Sequence, residues 1–222
     1  QLLTRAQERI ALMGRKPRAA MLAHANAPTL EALGRAYQAG LIEPVVIGDE
    51  AEFQHEVSIH APALADVEIV DEEQPVDALR IVGDMVGAGE VDLAIHGGIL
   101  SAALIGDLFH GESKLIQPGR VVSHVAAIRP SKYTKMIFVT DGVVNDSPDF
   151  NTKLGITQNA IELAHSIGVP KPKVAVLGAV EVVYPQMPVT MEAAALAKMG
   201  DRGQIKGAFV DGPLSFDCAV DS

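Results

Sequence analysis

Short apolar runs alternate with amphipathic stretches from one end of this chain to the other, and that rhythm leaves few folds open to it. The runs Arg18–Ala23, Pro44–Ile47, Val67–Val70, Val91–Ile95, Val121–Ile128, Lys135–Val139, Val174–Leu177 and Lys206–Val210 read as buried strands. Between them, residues 2–14, Thr29–Gln38, Glu50–Glu56, Pro75–Val86, Ser101–Phe109, Phe150–Ile167 and Met191–Met199 carry helical spacing. Strands separated by helices belong to parallel sheets, because parallel neighbours need a crossover and the crossover helices cover both sheet faces. The pattern predicts an α/β chain with mostly parallel sheets. It pauses once, at the polar segment HGESKLIQPGR (110–120), and then restarts, which predicts two α/β lobes over 1–119 and 120–222.

Composition narrows what such a chain can bind. Eighteen Lys and Arg face 28 Asp and Glu, a net charge of −10, which argues against nucleic acid or an anionic membrane as the main partner. It leaves room for a small anion held by a local cation or by backbone N–H groups. No run approaches the ~18 apolar residues of a membrane span. The N-terminal QLLTRAQERIALMGRK is amphipathic and lacks the apolar core of a signal peptide. Cys218 is the one cysteine, so no internal disulfide forms, and the expected compartment is a reducing cytoplasm.

The predicted strands end in small or polar residues: Gly48-Asp49, His96-Gly97-Gly98, Thr140-Asp141-Gly142, Ala179-Val180-Glu181 and Asp211-Gly212-Pro213. In open α/β sheets ligands bind outside the carboxyl ends of strands, so some of these turns are expected to line a site. Equally, any α/β protein needs Gly and Asp in its turns. Gly87-Ala88-Gly89 precedes a strand instead of following one, which excludes a dinucleotide fingerprint. There is no phosphate-loop lysine and no nucleophile elbow. His55 and His60 stand five apart, off a common helix face, and read as surface residues; no metal-ligand spacing is found.

Four motifs stand in a fixed order in the second half: Ser123-His124-Val125, Thr140-Asp141-Gly142-Val143-Val144-Asn145, Ala179-Val180-Glu181, and Asp211-Gly212-Pro213-Leu214 with Asp217. In these the chain closely resembles the phosphate acetyltransferase/phosphate butyryltransferase family, nearer the butyryltransferase branch. The first half agrees more weakly, in AGLIEPVVIGD (39–49) and in 91–101. The resemblance implies a two-lobed α/β/α fold like that of the isocitrate and isopropylmalate dehydrogenases. It implies a cleft in which an acyl group passes between coenzyme A, a substrate, and inorganic phosphate. A homodimer or larger homo-oligomer is implied, with no redox cofactor and no metal. Two departures stand out. His96-Gly97 replaces the family's Lys-Gly, and Ile116–Arg120 replaces an arginine-rich run. Family members also continue past DGPLSFD, so a C-terminal portion of the fold is expected to lie outside these 222 residues.

The chemistry so implied needs cations and N–H groups around phosphate, a thiolate as nucleophile, and donors for the tetrahedral oxyanion. A thiol of pKa about 8.5 needs only a modest base. On this reading Gly97, Gly98, Ser101 and Arg120 hold phosphate. Asn145 donates to phosphate or oxyanion, Asp141 orients it, and Ser123 and His124 lie at the lobe junction, with His124 able to titrate near neutrality or simply packed. Glu181 and Asp211 contact ligand or cap the next helix, and Asp217 caps a helix at the end of the chain. Two other readings stay open. One is a relative that binds coenzyme A or phosphate without turnover. The other is a metal- and nicotinamide-dependent hydroxy-acid dehydrogenase, which Asp141 and Asp146 alone do not equip.

Overall fold

The structure is a computed structural model that describes residues 2–22, 26–98, 107–108, 115–116, 119–131 and 133–220. The chain divides into two compact units, Gln1–Pro118 and Gly119–Ser222. The helix expected from Ser101 lies outside the described residues except for Asp107 and Leu108.

The first unit runs α1 (Leu2–Met13), β1 (Arg18–Leu22), α2 (Ala27–Gln38), β2 (Glu43–Gly48), α3 (Glu50–His60), a 3-10 turn (Pro62–Leu64), β3 (Glu68–Asp71), α4 (Pro75–Gly87) and β4 (Leu93–Ile95). Its strands form one parallel sheet in the order β3-β2-β1-β4. Alternate residues of β1 and β2 point to opposite faces, and both sets are apolar. Met21 and Val46 join Leu30, Leu33, Phe53, Val57 and Leu64 on one face. Ala20, Leu22, Val45 and Ile47 join Ala78, Leu79 and Val82 of α4 on the other. Local signals set the helix starts. Asn26 Oδ1 accepts from the Thr29 N–H (3.1 Å) at the head of α2, with Pro28 in the first turn. Asp49 does the same for Glu52 N–H (2.8 Å) at α3, so the Gly48-Asp49 strand end serves as a cap. The helix expected to end near Glu56 continues to His60 and places His55 on the surface.

The second unit runs β5 (Ala126–Ile128), β6 (Ile137–Val139), α5 (Phe150–Ser166), β7 (Lys173–Leu177), α6 (Pro188–Asp201), β8 (Phe209–Leu214) and α7 (Phe216–Val220). β7 and β8 pair in parallel, as expected, and Ile161, Leu196, Ile205 and Val210 form the core beside them. β5 and β6 form an antiparallel hairpin within the mostly parallel arrangement. Two expectations are corrected here. The strand predicted from Val121 begins only at Ala126. Asp211-Gly212-Pro213 is no turn after a strand, for β8 continues through it to Leu214. A register irregularity between Ala175 and Leu177 absorbs the break.

Candidate functional site

The polar residues of the second unit converge on Asp141, just past the end of β6. Its carboxylate accepts from the backbone N–H groups of Val143 (2.9 Å), Val144 (3.0 Å) and His124 (3.2 Å), and from Asn145 Nδ2 (2.6 Å). Partial burial raises its pKa, but these four donors outweigh it and hold the group at about 2. Asp141 is therefore an anion that organises backbone. Thr140 closes the second side of the same link, its hydroxyl donating to the His124 carbonyl at 2.7 Å.

The segment before β5 is fixed in the same way. Asn145 Nδ2 also donates to the Val122 carbonyl (2.8 Å). From α5, Asn159 Nδ2 donates to the Val121 carbonyl (2.8 Å) and to Ser123 Oγ (2.9 Å). Gly155 of α5 leaves room for this approach, since a Cβ there would lie 2.5 Å from Val121. Arg120 pairs with Glu162 at 3.0 Å, both exposed. Side chains from three stretches of sequence thus hold Arg120–His124 in an irregular conformation, with the hydrogen-bonding of a ladder replaced residue by residue.

This arrangement sorts the expected residues. Ser123, His124, Asp141 and Asn145 fall in one network, and Arg120, at the head of the same segment, pairs with Glu162 outside it. Asn145, expected as a donor to ligand, commits both amide hydrogens inside the chain, so what it can still offer is Oδ1, an acceptor. Ser123 Oγ accepts from Asn159 and keeps its own hydrogen to donate. The His124 side chain is exposed. Asn159 was not singled out by sequence, and Thr140 only as part of its motif; an asparagine in mid-helix, where it is a poor helix former, is the signal that Asn159 carries.

Glu181 and Asp211 stand elsewhere in the same unit, and neither caps a helix. Met187 precedes α6 without a side-chain cap, and Asp211 accepts from the adjacent Gly212 N–H (2.8 Å). Asp217 falls inside the first turn of α7 and is not its cap. The Ser215 hydroxyl beside Glu181 holds that carboxyl below its usual range. Ligand-type atoms of Glu181, Asp217 and Cys218 lie within 4.8 Å of one another, a grouping that sequence spacing did not show. All three are exposed, and hydrated exposed carboxylates of this kind are no metal centre by themselves.

Gly97 and Gly98 belong to the first unit, and Ser101 lies outside the described residues. Gly97 is buried, and a Cβ there would lie 2.4 Å from the Thr29 side chain. Its carbonyl accepts from Asn26 N–H at 2.9 Å. The glycine lets the end of β4 lie against the head of α2. Both ring nitrogens of His96 are shielded from solvent.

The α/β fold is shared with solved phosphotransacylases. A branched-chain phosphotransacylase from Enterococcus faecalis superposes with a TM-score of 0.69 at 22% identity, covering 91% of this chain and 70% of that one. A phosphotransacetylase from Staphylococcus aureus gives 0.68 at 18%, covering 97% and 73%. The sequence model of the phosphate acetyl/butaryl transferase family matches residues 72–222, and the chain belongs to that family. It is 37% identical over 193 residues to the phosphate butyryltransferase of Clostridium acetobutylicum, covering 87% of this chain. It is likewise 37% identical over 192 residues to the phosphate acetyltransferase of Rhizobium meliloti, covering 85%. The chain spans 64% and 60% of the length of these two relatives. Among the described residues no helix is long and apolar enough to cross a membrane.

Proposed function

We propose that the protein transfers an acetyl- or butyryl-type acyl group between coenzyme A and inorganic phosphate, acting as a homodimer or larger homo-oligomer in the cytoplasm. The family membership gives the reaction class. The observation that carries the reading to residues is the Asp141 network, which fixes the segment of Ser123 and His124, next to Arg120, and leaves the Ser123 hydroxyl hydrogen and the exposed His124 ring to meet a ligand. Arg120 supplies charge toward phosphate. The Ser123 hydroxyl donates to an acyl carbonyl or phosphate oxygen, and His124 accepts or returns a proton. Asp141, Asn145 and Asn159 act through these groups and are positioning residues. Gly98, Glu181 and Asp211 are proposed ligand contacts as well.

The test is phosphate-dependent release of coenzyme A from acetyl- and butyryl-coenzyme A by the full gene product. If neither thioester turns over, the transferase reading fails. A second reading, a relative that binds coenzyme A or phosphate without turnover, is favoured by His96, whose shielded ring nitrogens stand where a lysine is expected. Saturable binding of coenzyme A without turnover would select it.

A further inference from the structure

We infer that the tip of the β5–β6 hairpin is a binding site for a phosphorylated nucleotide. An open cavity of about 480 Å³ lies there, lined by Arg129, Pro130, Ser131, Tyr133 and Thr134. That volume is in the range of small-molecule sites, ~300–1,000 Å³, and exceeds what one tetrahedral anion fills. Arg129 is exposed, and among the described residues no carboxylate pairs with it, whereas Arg15, Arg18, Arg80 and Arg120 all pair with acids. Beside it stand the exposed Ser131 and Thr134 and the half-buried Pro130 and Tyr133, whose turn is closed by the Tyr133 N–H donating to the Pro130 carbonyl (3.4 Å).

Charge singles out the same place. Residues 1–118 hold eight Lys and Arg against eighteen Asp and Glu, whereas 119–222 hold ten of each. From Gly119 to Thr140 the chain carries Arg120, Arg129, Lys132 and Lys135 and no carboxylate at all. The Arg129 guanidinium with hydroxyls beside it, on a stretch of sequence without carboxylates in a chain of net charge −10, fits a phosphate, which guanidinium takes in a two-pronged grip. A phenol ring beside a proline adds a flat apolar surface of the kind on which a base stacks. Phosphate and base together describe a nucleotide. It comes either from the nucleotide end of coenzyme A, which rests on the acyl-transfer reading, or from a free nucleotide, which does not.

The full protein is titrated calorimetrically with adenosine 3′,5′-bisphosphate, adenosine and inorganic phosphate. The bisphosphate is expected to bind at least roughly tenfold tighter than either part. Arg129→Gln should weaken the bisphosphate by roughly tenfold and adenosine little, while Tyr133→Leu should weaken both. Circular dichroism checks the fold, and Arg129→Lys, which keeps the charge without the fork, should fall between. No binding of the bisphosphate, or equal binding by wild type and Arg129→Gln, overturns the site. Competition then separates the sources. Displacement of the bisphosphate by coenzyme A, with a rise in KM for coenzyme A larger than that for pantetheine in Arg129→Gln, assigns the coenzyme. Binding without competition leaves the site standing with free nucleotide as its ligand. A protein that turns over no thioester sinks the transferase reading while the titration still decides the site.

Discussion

The two units are built from the same alternation of strand and helix but hold together differently. In the first, a four-stranded parallel sheet has, among the described residues, a cluster of eight buried ones on each face. In the second, the strands form two separate pairs, and among the described residues the core beside β7 and β8 has four buried members. Most of the large apolar side chains left exposed are in the second unit, among them Val143, Val182, Val183, Tyr184, Phe209 and Phe216. Apolar burial dominates the first unit, and directed polar contacts around Asp141 carry much of the order in the second. Burial is worth about 25 cal/mol per Å² and is hard to lose piecemeal, whereas a hydrogen bond contributes only about 0.5–1.5 kcal/mol net.

This contrast should show most strongly in amide exchange. Amides of β1 and β2, paired on both sides within a buried sheet, should exchange on the order of a hundredfold or more slowly than those of the β5–β6 hairpin. Equal protection would mean that the polar network is as cohesive as the sheet. Next in size is Phe53→Ala in the first unit. Phe53 is fully buried between α2, β2 and the 3-10 turn, so its loss should cost about 3–5 kcal/mol in urea unfolding. A smaller value would show that this core collapses to fill the gap.

A pair of glycines sharpens the comparison on a smaller scale. Gly97→Ala drives a methyl against Thr29 and should destabilise the first unit by about 1–3 kcal/mol. Gly142→Ala, with nothing within 4 Å, should stay within about 0.5 kcal/mol in the second unit. Thermal melts of the two variants decide it, and a costly Gly142→Ala would show that the turn beside Asp141 is more closely packed than its open surroundings imply.

The sheet of the first unit was legible in sequence because its signal is local: β1, β2 and β3 are apolar runs within a residue or two of where they were expected. The second unit was less legible because its order comes from distant partners. Val121 to Val125 has strand composition, yet its carbonyls and N–H groups bond to Asn145, Asn159 and Asp141, seventeen to thirty-eight residues away, so no ladder forms there. The Thr-Asp-Gly-Val-Val-Asn motif marked residues that the structure joins in one hydrogen-bonded network. It could not show that Asn145 turns both amide hydrogens inward, since that depends on where Val122 lies. Gly97 was visible as a strand-end glycine, but the Thr29 side chain that requires it is on another element.

The smallest expected effects concern two aspartates, one in each unit, both held at about 2 by different means. Asp92 is held first by its hydrogen bonds from Arg15 (2.6 and 2.8 Å), helped by the Arg18 N–H. Among the described residues no cation holds Asp141; burial works against it, and three backbone N–H groups and Asn145 overcome that burial. In the unfolded chain both titrate near 3.9, so between about pH 4 and pH 2 the unfolded state binds more protons than the folded one. Stability therefore rises with pH across that window; each contribution is complete above it and is lost as acid brings the pH down through the folded value of about 2. Screening separates the two, since an exposed ion pair weakens in salt and short directed N–H bonds do so much less. In carboxyl-resolved NMR titrations, 1 M NaCl should move Asp92 upward and leave Asp141 nearly in place. Asp141→Asn should flatten the acid limb of the second unit alone and loosen the amides of 120–125. A salt shift as large for Asp141 as for Asp92 would mean that a charged group, and not the backbone, fixes the segment that carries Ser123 and His124.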